Sequence, residues 1–334
     1  MATKLFRALI LILAVFAVPT RAAAPTPVER HGALSVNGNR VVDSHGAPVA
    51  LSGVSFFWSN TGWGQERFYD AQVVDYFVAD WHASLVRAAI GGEPRAPRGY
   101  LDDPAPNMAR LETIIDAAIK NGIYVIVDWH SHHAETRTDD AVAFFTTVAK
   151  KYGSRPNILY EIYNEPLNTV TWSGNVKPYA ETVIAAIRAI DPANVIIVGS
   201  PTWSQDVDVA AADPIADARN ITYTLHFYAG THKAELRRKA KAALDAGASL
   251  FVSEWGTVNA NGDGGVAGEE VATWFQFLRE NCISNANWAV SDKAEGASIF
   301  KAGAGKNGPL TGDSLTTSGR FVRELVRNWP QACR

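Results

Sequence analysis

Ile158-Leu-Tyr-Glu-Ile-Tyr-Asn-Glu-Pro166 and Leu250-Phe-Val-Ser-Glu-Trp-Gly256 are two largely apolar runs, and each leads into a glutamate. Short apolar runs closed by turn residues read as strands buried on both faces, the pattern of a parallel sheet covered by helices. Working outward, the runs centred on Leu51, Leu85, Val125, Leu159, Ile197, Tyr223, Phe251 and Ala289 make eight. Amphipathic segments lie between them. Leu111, Ile114, Ile115, Ala118 and Ile119 recur at helical spacing and stop at Asn121-Gly122, and Phe144, Phe145 and Val148 repeat the arrangement ahead of Gly153. The helix through Ile184, Ile187 and Ile190 ends at Asp191-Pro192, where proline cannot continue the hydrogen-bond ladder. Eight strands alternating with helices predict an α/β fold, a (β/α)8 TIM barrel in a single domain. A doubly wound open sheet would need a glycine-rich phosphate loop after its first strand, and Gly53-Val-Ser-Phe-Phe-Trp58 is not one.

Ahead of the barrel, Leu34-Ser-Val-Asn-Gly-Asn-Arg-Val-Val42 carries an Asn-Gly turn and predicts a hairpin that closes the lower mouth. Lys4 and Arg7, the apolar stretch Ala8 to Val18 and the small residues Ala22 to Ala24 read as an export signal, so residues 1–23 are expected to be removed and 24–334 to form the mature domain. A secreted, extracellular or periplasmic monomer is expected, with no membrane attachment once the signal is gone and no room for an appended binding module.

The chain has 334 residues, 47% hydrophobic and 19% charged, so one barrel of about 250 residues plus loops uses nearly all of it. A net charge of −3 gives no long-range reason to bind nucleic acid. The basic stretch Lys233 to Lys241 has apolar residues at helical spacing and reads as a solvated helix face. Cys282 and Cys333 both follow helices, Glu269 to Glu280 and Ser318 to Asn328, that would be neighbours in a barrel. A bridge and two unpaired thiols both stay open, and no CxxC or nearby histidine marks a metal site.

A lone glutamate at a strand end is ordinarily a salt-bridged surface residue. Here Glu165 and Glu254, 89 residues apart (254 − 165), end the fourth and seventh strands, and in a parallel barrel both reach the catalytic rim. Two carboxyl groups with different environments can protonate a leaving oxygen and meet the cationic carbon left behind, the chemistry of acetal hydrolysis. Asn164 precedes Glu165, and His226 and Tyr228 lie one strand before Glu254, placed to tune the pair.

Six blocks in order, Val86-Arg-Ala-Ala89, Asp128-Trp-His130, Tyr163-Asn-Glu-Pro166, Leu225-His-Phe-Tyr228, Val252-Ser-Glu-Trp-Gly256 and Asn287-Trp-Ala-Val-Ser-Asp-Lys-Ala-Glu-Gly296, carry a resemblance from about Leu34 to Pro330. The chain resembles glycoside hydrolase family 5, in the branch of bacterial endo-β-1,4-glucanases (cellulases). The resemblance implies a retaining double displacement with Glu165 as acid/base and Glu254 as nucleophile. It implies that Arg87 and Tyr228 steady Glu254 in its ionised form, that Asn164 holds the sugar 2-hydroxyl, and that His130 and His226 line the cleft. Trp288 would lie under the sugar beside the cleavage point. Lys293 and Glu295 match polar contacts to a distal glucose, which favours β-glucan. No cofactor is implied.

Trp63, after the first strand, and Trp203, after the fifth, are the candidates for stacking on the glycone and aglycone sides. Trp58 is a further candidate for that role, whereas Trp81, Trp274 and Trp329 fall in helical segments and read as core. The first loop departs from many family members, which carry a histidine there. Mannan, xylan, xyloglucan or mixed-linkage glucan would suit the same mechanism. Two rivals are a metal-dependent hydrolase built on His130-Ser-His-His133 and a carbohydrate-binding barrel without catalysis. Asn261-Gly-Asp-Gly-Gly265 lacks the ligands of a calcium loop and reads as a mobile turn.

Overall fold

The computed structural model describes residues 24–94, 98–216, 219–305 and 309–333. The expected export signal, residues 1–23, lies outside them. Strands β1 (Ser35–Asn37) and β2 (Arg40–Val42) form the antiparallel hairpin. Then β3 (Ser52–Phe56), β4 (Leu85–Gly91), β5 (Tyr124–His130), β6 (Ile158–Glu161), β7 (Ile196–Val198), β8 (Ile221–Tyr228), β9 (Leu250–Gly256) and β10 (Asn285–Val290) close into a parallel barrel, each paired with its sequence neighbours and β10 with β3. The expected barrel is therefore present, with the first strand starting one residue after its expected centre, Leu51.

Side chains alternate across each strand, so every second residue faces the barrel axis. At the lower end these are apolar: Leu51, Leu85, Ile126, Leu159, Ile197 and Phe251 form one buried cluster with Leu34 and Val41 of the hairpin region. Burying each such side chain stabilises the fold by about 1.5–3 kcal/mol. The hairpin thus plugs the bottom, and the charged inward positions, Arg87, Asp128, Glu161 and Glu254, lie in the upper half. Outward residues join a second, larger core with the helices, which holds Trp81 and Trp274 as expected.

The helix Pro104–Asn121 ends at Gly122 with φ 63°, a left-handed conformation that costs glycine little. Gly153, expected to act alike, instead has φ −59° and simply follows the last turn of Thr138–Tyr152. The basic stretch forms the helix Ala234–Asp245, whose Leu236, Ala240, Ala243 and Leu244 are buried. Its cations pair with neighbouring acids, Arg237 with Glu270 and Lys239 with Asp206. Among the described residues no helix is long and apolar enough to cross a membrane.

Cys282 and Cys333 are bridged, with Cα atoms 5.7 Å apart, which ties the end of the helix Gly268–Glu280 to the segment after Thr317–Arg327. Closing a loop of 51 residues restricts the unfolded chain, and the chain-entropy relation gives about 4 kcal/mol. Replacing both cysteines by serine is expected to lower the urea midpoint while leaving the initial rate well below the melting temperature unchanged. Identical midpoints would show that the bridge adds nothing.

Candidate active site

The upper half of the barrel is organised around one guanidinium. Arg87 on β4 is fully buried, and its Nε donates to Glu161 Oε2 at 2.6 Å. Its Nη1 donates to Glu254 Oε2 at 2.9 Å and to Ser55 Oγ at 3.2 Å. Its Nη2 donates to Asn164 Oδ1 at 2.6 Å and lies 2.9 Å from Asp128 Oδ2. Burial opposes the charge on Arg87, but the charges of Asp128, Glu161 and Glu254 outweigh it and hold the pKa above its ordinary value.

The acids around it are not equivalent. Burial works against ionising Glu161, yet Arg87 and the hydrogen bond with His226 outweigh it and pull the pKa down to about 2. Asp128 shares the same guanidinium, and burial, reinforced by the charges of Glu161, Glu254 and Glu165, pushes its carboxyl well up. Asp128 Oδ2 also stands 2.6 Å from His130 Nδ1, which orients that ring toward the cleft.

Glu254 reaches this cluster through an irregularity in its strand. Thr224 pairs with Phe251 and His226 with Glu254, while on the other side Asn285 pairs with Val252 and Asn287 with Trp255. Relative to both neighbours β9 has one extra residue, a bulge. In a regular strand Ser253 and Glu254 would face opposite sides, whereas here both turn inward. Ser253 Oγ donates to Glu161 Oε1 at 2.6 Å, and Glu254 Oε1 accepts from Tyr228 at 2.7 Å. Gly256 permits this, since a Cβ there would collide with the Tyr228 ring. Burial, with the charge of Glu165 beside it, raises the Glu254 carboxyl above its ordinary value. His226, Arg87 and Tyr228 pull the other way without cancelling the shift. The ionising influence expected of Arg87 and Tyr228 is present, but burial exceeds it.

Glu165 follows β6, where the chain stays on the β5 side: Asn164 N donates to Trp129 O and Glu165 N to Ser131 O. Glu165 Oε1 is 3.0 Å from His226 Nδ1, and Oε2 is 3.7 Å from His132 Nδ1. One side-chain atom each of Glu165, His226 and Glu254 lie within 4.8 Å of one another. They are the one metal-sized set among the described residues, and the run His130–His133 makes none. Their atoms already bond to Arg87, Tyr228 and Ser253, the arrangement of a proton-transfer pair more than of an ion cage.

Two adjoining cavities meet over Glu165. One, of about 210 Å³, is lined by Phe57, Trp58, His130, Glu254, Trp288 and the Lys293–Glu295 pair, whose charged atoms are 2.7 Å apart. The other, of about 620 Å³, is lined by Trp203, Gln205, His226 and His232 among others. Trp203, 37% exposed, sits on a turn in which Thr202, Trp203 and Ser204 all have positive φ. That unfavourable backbone is held by Ser204 Oγ donating to Asn164 O and Trp203 N donating to Pro166 O. Trp63, half-buried, packs on Phe57 and Trp58, and those two rings line the smaller cavity. Asn261 and Gly262, read as a mobile turn, form a wall shared with the cleft.

Sequence reasoning missed Glu161, Ser253 and His132. An acid inside the apolar run of β6 was a visible signal for the first, but the bulge that turns Ser253 inward left none.

The cellulase profile, glycosyl hydrolase family 5, matches residues 42–294. The chain belongs to this family. It is a glycoside hydrolase, a cellulase by family. It is 54% identical to endoglucanase Z of Dickeya dadantii over 297 residues, 89% of this chain and 67% of that protein. It is 41% identical to endoglucanase N of Pectobacterium atrosepticum, over 92% of this chain and 68% of that one. The solved catalytic domain of the Thermobifida fusca endoglucanase Cel5A superposes with a TM-score of 0.85 at 34% identity, covering 91% of this chain and all of that domain. A variant of that domain has been solved in complex with cellotetraose.

Arg87→Met leaves three acids around an absent cation, and removing one partner of a buried ion pair costs about 3–5 kcal/mol. Urea unfolding is expected to show a loss of that size, and an unchanged midpoint would contradict the central place given to Arg87.

Proposed function

We propose that the cellulase is a secreted retaining endo-β-1,4-glucanase acting on cellulose and related β-glucans, with residues 24–334 as the mature catalytic unit. The observation that carries this reading is the approach of Glu165 and Glu254, whose nearest usable oxygens lie within 4.8 Å. Carboxyl groups about 5–5.5 Å apart leave no space for the water that an inverting enzyme places between them.

In the first step Glu254 attacks the anomeric carbon while Glu165 protonates the departing glycosidic oxygen, giving a glycosyl ester on Glu254. In the second, Glu165 takes a proton from water, the water oxygen bonds to the anomeric carbon, and the ester is cleaved. Both Glu254 oxygens accept strong hydrogen bonds, from Arg87 and from Tyr228, which fix the nucleophile in place. Arg87 occupies Asn164 Oδ1, so the amide is oriented, and its buried Nδ2 has no partner among the described residues. A buried donor without a partner is costly, and the sugar 2-hydroxyl would satisfy it. Trp288 and Trp58 supply apolar faces on one side of the cleavage point and Trp203 on the other. Cavities on both sides of Glu165 suit a chain that continues past the cut, which is endo action, and relatives named endoglucanases support it.

Glu165→Gln and Glu254→Gln are each expected to lower kcat on carboxymethyl-cellulose by about a thousandfold or more, because each removes a group acting on the transition state. Equal rates in all three proteins would eliminate the mechanism. Products from a soluble β-glucan, followed by polarimetry, are expected to appear first with retained β configuration. A panel including mannan and xyloglucan would test the choice of β-glucan.

A further inference from the structure

Glu161 has no part in the two steps above, yet it lies at 0% exposure between both halves of the site. Its Oε2 accepts from Arg87 Nε at 2.6 Å, and Arg87 holds Glu254. Its Oε1 accepts from Ser253 Oγ at 2.6 Å, with Thr224 Oγ1 at 3.5 Å and His226 Nε2 at 3.6 Å. Valence fixes the direction of this chain. An ionised carboxylate only accepts, so Ser253 gives Glu161 its single hydroxyl proton, and the Ser253 oxygen is left to accept from His226 Nε2 at 3.0 Å. His226 Nε2 therefore carries a proton. The other nitrogen, Nδ1, stands 3.0 Å from Glu165 Oε1. While Nδ1 is also protonated, Oε1 is an acceptor, and the proton Glu165 delivers must sit on Oε2.

We propose that Glu161 is a positioning residue which, through Ser253 and His226, makes Glu165 deliver its proton from Oε2, the oxygen on the His132 side of the cleft. This rests on Glu165 being the acid/base. The charges around His226 agree with it. Burial disfavours the imidazolium, but hydrogen bonds with Glu161 and Glu165 and the charge of Glu254 outweigh burial and raise the pKa to about 9. His232, in the loop after β8, is the basic group facing His226, and each opposes the other's charge. Arg87 holds both Glu161 and Glu254, the carboxylates whose charges act on His226.

The sign of the effect follows. A raised pKa keeps His226 doubly protonated into the alkaline range, so removing the charge of Glu161, or the serine that relays it, lets the Nδ1 proton leave at lower pH.

The test is the pH profile of kcat for the wild type, Glu161→Gln and Ser253→Ala, on a cello-oligosaccharide and on an aryl cellobioside whose leaving group needs no proton. In both variants the alkaline limb is expected to move down by about one pH unit or more. On the oligosaccharide at neutral pH, kcat/KM is expected to fall by about tenfold or more with little change in KM, while Ser253→Ala loses little kcat/KM on the aryl substrate, the parameter that reports only the step before water enters. An unmoved limb, or equal losses on both substrates in Ser253→Ala, overturns the proposal. If Glu161→Gln fails to fold, Ser253→Ala decides alone, since Arg87 keeps its partner. Glu165→Gln measured alongside separates the two claims. Full activity there removes the acid/base assignment, whereas its inactivity with an unmoved limb removes only the role of Glu161.

Discussion

The buried guanidinium of Arg87 is the constraint on which the site depends. Five donors in a planar fork meet Glu161, Glu254, Ser55, Asn164 and Asp128 at the barrel axis. No arrangement of uncharged donors would keep several carboxyl groups together away from water, because each would take up a proton or swing toward solvent. The cation makes the cluster tolerable, and the cluster in turn keeps the cation charged. Glu161 gains a second cationic neighbour in His226 and stays ionised, while Asp128, between the shared guanidinium and His130, is pushed toward its neutral form by burial and by the carboxylates around it. Fixed charges inside the barrel thus set unlike environments for Glu165 and Glu254 above them.

Sheet geometry then determines what this cluster can reach. Strand β8 alternates strictly and presents His226 and Tyr228 to the cleft, whereas β9 needs its extra residue to present Ser253 and Glu254 together. The strained turn at Trp203 serves the other end of the cleft. Its hydrogen bonds to Asn164 and Pro166 tie the position of an exposed indole to the strand that bears Glu165. The Trp203 turn is thereby mechanically continuous with Glu165.

Much of this was legible in the sequence. Eight apolar runs, the Asn37-Gly38 hairpin and the helix periodicities gave the barrel, because burial on both faces leaves a strong imprint on composition. The carboxylate pair was legible because barrel topology sends the ends of β6 and β9 to one rim. The bulge in β9 was not, since an inserted residue does not alter the apolar pattern around it. Nor was the place of Trp58 in the cavity wall with Trp63 packed on it, which depends on how that loop folds back on Phe57. Gly153 likewise shows that a glycine after a helix permits a left-handed cap without requiring one.

The most direct test of the account is to trap the ester. A cellobioside carrying fluorine in place of its 2-hydroxyl, with a good leaving group, forms the intermediate faster than water can remove it. Mass spectrometry of the digested protein is expected to find one fluorinated cellobiosyl group, a disaccharide, on Glu254, within Leu250–Gly256. A label on any other residue, or none while the products emerge inverted, would contradict the assignment of two converging carboxylates to a double displacement.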